Sequence, residues 1–201
     1  MNGFEKRTEI KKKQILDATF EMMNSNQGIT NVRIDEIAKI AQVGKTTIFK
    51  YFGSKEKLIY EVFYTFLNSL KEATQAIMDE HKSFEEKLMA MILNKINYLQ
   101  SVNQQFYLDL MEFFTSKDLC GNTLLMKEYE QMSTSIMLDL FHQGKKEGKI
   151  DLKYSDEFIL IYFQAMVEGI SSAHIYEQIV PYTKQWAEVL IHGLSKQEKK
   201  F

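Results

Sequence analysis

The sequence predicts an all-α protein. A small three-helix head with a helix-turn-helix at the amino end precedes a larger helical body, about nine helices in total. Three observations predict it. Apolar residues recur three and four apart almost throughout, with few alternating runs. Turn formers are scarce, with 9 Gly and 1 Pro in 201 residues, which leaves too few reversals for a many-stranded sandwich or barrel. Charge is unevenly spread: residues 1–57 hold 11 Lys and Arg against 7 Asp and Glu, while the whole chain has 25 against 27. A basic head on an acidic body points to an anionic partner for the head.

The elements follow in order. A first helix is expected over residues 8–24, with Ile15, Ala18, Met22 and Leu16, Phe20, Met23 as its inner rows. Gly28 suits a left-handed cap after it. Short helices are expected over 33–41 and 45–52, joined by a tight turn at Gln42-Val43-Gly44. Gly53 breaks the second, and Ser54 caps a long helix running to about residue 80. Amphipathic helices then fall at 84–101, 104–116, 123–146, 156–178 and 182–197. Pro181 fits the first turn of the last one.

Composition excludes several classes. The apolar content of 45% is too high for a disordered chain. Cys120 is alone, so neither an intrachain disulfide nor a cysteine-based zinc site is available. His81, His142, His174 and His192 are scattered, and no glycine-rich loop stands out, so no metal and no cofactor is expected. The densest apolar run, residues 158–163, is far short of the roughly 18 a membrane helix needs. The charged start (Glu5 to Lys13) leads into no signal-peptide core. A cytoplasmic protein with no membrane partner is expected.

Residues 33–52 carry the chemistry. Ile34, Ile37, Ala38 and Ala41 line one face of a short helix, Val43 plugs the turn, and Ile48 and Phe52 line the next helix. Two short helices sharing a small apolar core make a helix-turn-helix. The outer face of the second bears Lys45, Thr46, Thr47, Lys50 and Tyr51, with no carboxylate among them. A helix of this kind fits the major groove of B-DNA, where lysine can meet guanine or phosphate and threonine can meet base edges. Phe49 lies beside the inner row, and Arg33 and Lys55 stand at the starts of the flanking helices, placed for phosphate. The candidate DNA contacts are therefore Arg33, Lys45, Thr46, Thr47, Phe49, Lys50, Tyr51 and Lys55. Gly44-Lys45-Thr46 imitates the tail of a phosphate-binding P-loop, but that loop needs a glycine five residues earlier and position 39 is Lys.

The segment resembles the tetracycline-repressor (TetR) family of bacterial transcriptional regulators. The resemblance rests on Ile37-Ala38, Ala41-Gln42-Val43, residues 47–52 (Thr-Ile-Phe-Lys-Tyr-Phe) and 54–58 (Ser-Lys-Glu-Lys-Leu), after a first helix carrying Ile15, Leu16 and Ala18. It covers roughly residues 10–60. The family usually has Gly where Gln42 stands, Ser where Gly44 stands, and often a small hydroxyl residue where Arg33 stands.

The resemblance implies a head over residues 1–53 and an effector-binding and dimerisation body over 54–201. It implies a pocket for an unknown small molecule, for which Tyr98, Phe106, Tyr107, Met111, Phe114, Met137 and Phe163 are the candidate lining. It also implies a homodimer through the last two helices. There Ala165, Gly169 and Ala173 form a small-residue stripe, with Trp186 and Leu190 on the final helix. Glu112 and Glu168 interrupt apolar runs and would need partners if buried. No acid–base pair or nucleophile–histidine arrangement suggests an enzyme. The expected function is a ligand-responsive regulator, a repressor, binding a pseudo-palindromic DNA operator as a homodimer. The alternative is a helical small-molecule-binding or adaptor protein without DNA binding.

Overall fold

The computed structural model describes residues 3–115, 122–171, 175 and 178–196. Among them lie nine α-helices and two short 3-10 helices, and no strand. The all-α expectation holds. α1 (Gly3–Met23) starts ahead of its apolar stripe. Glu, Lys and Arg are good helix formers, and Lys12–Glu9 (3.2 Å) and Lys13–Asp17 (2.8 Å) pair along the exposed side. Its inner face closes on Ile15, Ala18, Met22 and Met23, while Leu16 and Phe20 are half-buried. The buried Thr19 hydroxyl donates back to the Ile15 carbonyl at 2.7 Å.

Gly28, at φ +54°, turns the chain into a 3-10 helix (Gly28–Asn31) that apolar periodicity does not announce. α2 (Ile34–Ile40) and α3 (Lys45–Phe52) form the expected pair, with Ile37, Ala38, Ala41, Ile48 and Phe52 buried. The Val43 N–H donates to the Ala38 carbonyl at 3.0 Å and closes the turn. Gln42 sits there at φ +53°. That left-handed conformation costs a residue with a side chain about 1 kcal/mol.

α4 (Lys55–Asp79) starts at its expected cap, Ser54 Oγ accepting from the Lys57 N–H at 3.2 Å. α5 (Phe84–Gln100) opens on a reciprocal capping box between Ser83 and Glu86. α6 (Gln104–Thr115), α7 (Asn122–Lys146), α8 (Asp156–Ser171) and α9 (Thr183–Leu194) follow. The pattern predicts α8 to residue 178; the described helix reaches Ser171, and residues 172–174 and 176–177 lie outside the described set. Pro181 belongs to a 3-10 helix (Val180–Tyr182) ahead of α9, not to the first turn of an α-helix.

Packing divides the chain into two compact units, residues 1–70 with 98–126 and residues 71–97 with 127–201. The sequence places a boundary after residue 53; by packing, the first part of α4 and all of α6 belong with residues 1–53. The first unit is centred on Phe106 of α6, wholly buried. Its ring meets Phe20 at 5.3 Å and Phe63 and Phe66 at 5.2 Å, and Phe63 meets Phe113 at 5.1 Å. Such ring pairs add about 0.5–1.5 kcal/mol each beyond the area they bury.

A polar seam joins α6 to the turn after α1. Asp109 is only 6% exposed. Its carboxylate accepts from the Ile29 N–H at 2.7 Å and from Gln105 Nε2 at 2.8 Å. A Cβ on Gly28 would lie 1.8 Å from Asp109 Oδ2, so nothing larger than glycine fits beneath the carboxylate. One turn earlier Asn103 caps α6 by accepting from the Gln105 N–H at 2.9 Å. Its side-chain amide donates to Asn26 Oδ1 at 2.8 Å, and its backbone N–H donates to Asn24 Oδ1.

The second unit packs Phe84 and Leu88 of α5 with Leu140 and Phe141 of α7, Ile150, Ile159 of α8, and Leu190 and Leu194 of α9. Glu147 accepts from the Phe84 N–H at 2.9 Å, and the Asp151 N–H donates to the Leu194 carbonyl at 2.8 Å.

Three stability measurements check this account. Gln42→Gly should stabilise the protein by about 1 kcal/mol, read by denaturant unfolding, because it relieves the left-handed strain. Asp109→Ala should destabilise it by about 1–3 kcal/mol, since the Ile29 N–H is left unpaired. Gly28→Ala should cost more in the parent than in the Asp109→Ala background, with a coupling of about 1 kcal/mol or more.

Candidate nucleic-acid interface

α3 is eight residues long, so each residue takes a distinct bearing at roughly 100° per step. Ile48 and Phe52 define the buried side. Lys50 points opposite, with Thr46 and Thr47 to either side of it. Thr46 and Lys50 are exposed and Thr47 is half-buried. These three form the outer row, and it carries no carboxylate. Phe49 stands at the rim, 46% exposed. Tyr51 is half-buried and turns the other way, into a cleft of 360 Å³ that it shares with Lys12, Lys13 and Asp17 of α1 and Glu61 of α4.

Two of the cations around this row are held in ion pairs. The Lys45 ammonium is ion-paired with Asp35 of α2, both side chains being exposed. Arg33, the residue that precedes α2, pairs with Glu36 at 3.3 Å. Lys55 is half-buried at the first residue of α4. Exposed ion pairs contribute only about 0–1 kcal/mol, less than a charge-assisted contact with phosphate. Pairs this weak are ones that a phosphate can displace. Until one arrives, the two carboxylates hold Lys45 and Arg33 in place. The sequence reading missed Asp35, because an acidic residue in the first turn of α2 reads as a partner of that helix's own dipole.

The structure brings together Thr46, Thr47 and Lys50, with Lys45 at the same helix's start. The outer row of a single short helix can enter the major groove, about 12 Å wide, while Lys45 and Arg33 sit to its side. What orients this helix is the seam on the preceding turn, Asp109 and Asn103 of α6, to which no periodicity in the sequence points.

The remaining candidates fall in separate places. Phe106 is core, Tyr98 meets Phe66 at 5.7 Å, Tyr107 is half-buried and Met111 is exposed, all in the first unit. Met137 and Phe163 lie on the core of the second unit, Phe163 meeting Phe141 at 5.7 Å. The side chains of Phe114, Glu168 and Ala173 lie outside the described set, and Glu112 is exposed. Ala165 and Gly169 are exposed on α8, in one line with Phe158, Ile161 and Tyr162. Trp186 packs against the core and Leu190, at 1% exposure, is part of it. The outward residue beside them on α9 is Val189, 70% exposed.

Comparison with known proteins locates this head. Residues 15–62 match the model of the bacterial regulatory proteins, tetR family. The HTH-type transcriptional regulator YhgD of Bacillus subtilis is 35% identical over 78 residues, which span 39% of this chain and 40% of that protein. The fatty acid metabolism regulator protein of Bacillus subtilis is 22% identical over 186 residues, 90% of this chain and 94% of the other. The crystal structure of the transcriptional regulator FadR from Bacillus subtilis in complex with stearoyl-CoA superposes with a TM-score of 0.67 at 20% identity. It covers 90% of this chain and 98% of that one, and shows a shared fold.

The outer row and its ion pairs are separable by salt titration on duplex DNA. Lys50→Ala should lower the slope of log affinity against log salt by about 0.9, the loss of one phosphate contact. Asp35→Asn should raise affinity for arbitrary-sequence DNA by up to about fivefold, because Lys45 no longer has to exchange partners.

Proposed function

We propose that this chain, whose residues 15–62 match the model of the bacterial regulatory proteins of the tetR family, acts as a ligand-responsive repressor that binds a pseudo-palindromic DNA operator as a homodimer. The observation that carries this reading is the carboxylate-free outer row of Thr46, Thr47 and Lys50. Thr46 and Thr47 read base edges, and Lys50, Lys45, Arg33 and Lys55 take phosphates. Tyr51 contributes from the side of the helix, and Phe49 at its rim. The reading head is residues 1–53 in role, and 54–201 bind the effector and the second copy. Its place of work is the cytoplasm, where bacterial DNA lies. Among the described residues no helix is long and apolar enough to cross a membrane.

The dimer reading is supported by the uncovered apolar line of α8, where Ile161 is 61% exposed, and by Val189 on α9. A contiguous apolar stripe of this kind calls for a partner surface, and a second copy offers the same stripe under two-fold symmetry. Ala165 and Gly169 would let the helices approach closely, and Ala173, the third residue of the expected stripe, lies outside the described residues. Trp186 and Leu190 support that face from beneath. For the response, α6 is the transmitting element. An effector that shifts α6 carries Asn103 and Asp109 with it, and with them the turn that orients α2 and α3. The candidate pocket residues Tyr98, Phe106, Tyr107, Met111 and Phe114 lie on α5 and α6, where their displacement would move α6; Met137 and Phe163 are candidates on the second unit.

A gel shift with the DNA flanking this protein's own gene should show one specific complex, protecting two half-sites about 34–36 Å apart along the duplex. An absent shift would return the chain to the class of helical binding proteins that do not touch DNA. Ile161→Glu with Val189→Glu should yield a monomer by light scattering and weaken operator binding by about a hundredfold, as two linked heads become one.

A further inference from the structure

The core of the head begins late on α1. The helix starts at Gly3, and among the described residues its first buried side chain is Ile15. The turns ahead of it, residues 3–14, run for about 18 Å. At roughly 100° per residue their charges separate into two sides. Glu5 and Glu9 stand on one side with Lys12, which pairs with Glu9 at 3.2 Å. Lys6, Arg7, Ile10, Lys11 and Gln14 share an arc on the other, all exposed and with no carboxylate among them. Lys13, at the edge of that arc, is taken by Asp17 at 2.8 Å. Lys6, Arg7 and Lys11 have no carboxylate partner among the described residues. Exposed cations and an absence of acids are the features that also set the outer row of α3 apart.

Contacts within the first unit place these turns. Phe20 of α1 meets Phe66 of α4 at 6.4 Å. Nearer the start of both helices, Glu9 and Lys13 of α1 line one cleft with Glu61 and Thr65 of α4 and Tyr51 of α3. α1 and α4 therefore lie side by side and run the same way. Followed toward their starts, they bring the first turns of α1 level with Lys55, where α4 leaves the end of α3. The cationic arc thus stands at the same end of the head as Lys55, beside the helix that carries the outer row. Arg7 and Lys11 are separated by about 6 Å along the helix axis. That is enough to serve separate phosphates on a strand whose charges recur about every 3.4 Å of duplex axis. A membrane surface would need an apolar face beside the cations, and the arc offers only Ile10.

We propose that the first three turns of α1 are a second DNA-contacting surface, outside the helix-turn-helix, on which Lys6, Arg7 and Lys11 take backbone phosphates flanking the groove that α3 enters. This rests on the reading of the head as a DNA-binding part. The contacts are to phosphate, so they add affinity and fix the tilt of the head without reading sequence. Lys6, Arg7 and Lys11 have no ion pair to exchange, unlike Lys45 and Arg33, so each meets a phosphate at no cost in lost partners.

The test is salt titration of the full chain on two duplexes, the DNA flanking its own gene and an arbitrary sequence of equal length. Lys6→Ala, Arg7→Ala and Lys11→Ala made together should flatten log affinity against log salt by about 0.9 for each phosphate released. Both duplexes should be bound more weakly by the same factor, about fivefold for each lost contact at 0.15 M salt. Returning Lys6→Arg and Lys11→Arg in place of the alanines should restore the slope. Alanine is at least as good a helix former as lysine or arginine, so helix content and melting temperature should not fall, and lost binding is then not lost folding. Uncharged methylphosphonates placed at the phosphates flanking each half-site should weaken the parent and leave the triple-alanine variant unaffected. An unchanged slope in that variant overturns the proposal, as does an equal response of parent and variant to the methylphosphonates. Either result, in a parent that binds duplex DNA, leaves the regulator reading standing. A parent that binds neither duplex at low salt strikes both.

Discussion

The buried carboxylate of Asp109 is the constraint on which the head depends. A carboxylate removed from water needs hydrogen bonds, and here they come from the Ile29 N–H and Gln105. Phe106 and its ring partners pack the centre of this unit, but apolar contact is non-directional and would tolerate several settings of α1 against α6. The carboxylate tolerates one. It demands a backbone donor at Ile29 and empty space at Gly28, and both exist only when the turn after α1 lies in this register. α2 follows that turn directly, and α3 is clamped to α2 by the Val43–Ala38 hydrogen bond, so the bearing of the outer row descends from a single acid on another helix.

The head's electrostatics are a matter of exchange. Lys45 and Arg33 are both satisfied by exposed carboxylates, Asp35 and Glu36, at little gain in stability. Such pairs limit the wandering of long side chains and are weak enough for a stronger anion to replace them. A net positive head is therefore less informative than the row on α3 that has no acid of its own. The charges of the second unit are used differently. Asp156 receives His142 at 2.7 Å and Lys145 at 2.6 Å, which hold its carboxyl below the ordinary value. Lys149 pairs with Glu85 at 3.0 Å, and the buried Lys87 donates to the Met78 carbonyl at 2.6 Å. These contacts join α4, α5, α7 and α8 within that unit. The body's acidity is in this sense structural, spent on ties between helix ends.

Helix existence, helix order and the head's apolar pairings were legible in the sequence because they depend on local spacing. Ile15, Ala18, Ile37, Ala38, Ile48 and Phe52 recur at the helical interval, and all are buried. Ser54 and Gly28 announce their caps by residue type. Legibility ended where a side chain's partner is distant along the chain. Asp109 is an ordinary acid in an apolar run until its contact 80 residues away is known. Leu190 and Val189 are neighbours with similar chemistry, yet one is core and the other is outer surface, a distinction that requires knowing which side of α9 meets α5 and α7. Tyr51 shares the outer helix with Lys50 but turns into a cleft made by α1 and α4.

What this chain's amino-acid order determined by itself is a set of helices, their caps, and one short helix whose outward row is free of acids. These follow from interactions over three or four residues, within reach of a single turn. The tertiary structure alone decided where that row points, which lysines are held in ion pairs, which face of α8 stays uncovered, and that the Asn94 amide nitrogen is shut off from solvent without a hydrogen-bond partner. Each of these depends on polar groups and surfaces meeting across long stretches of chain, and a directional hydrogen bond or a buried charge has no periodic signature to announce its partner.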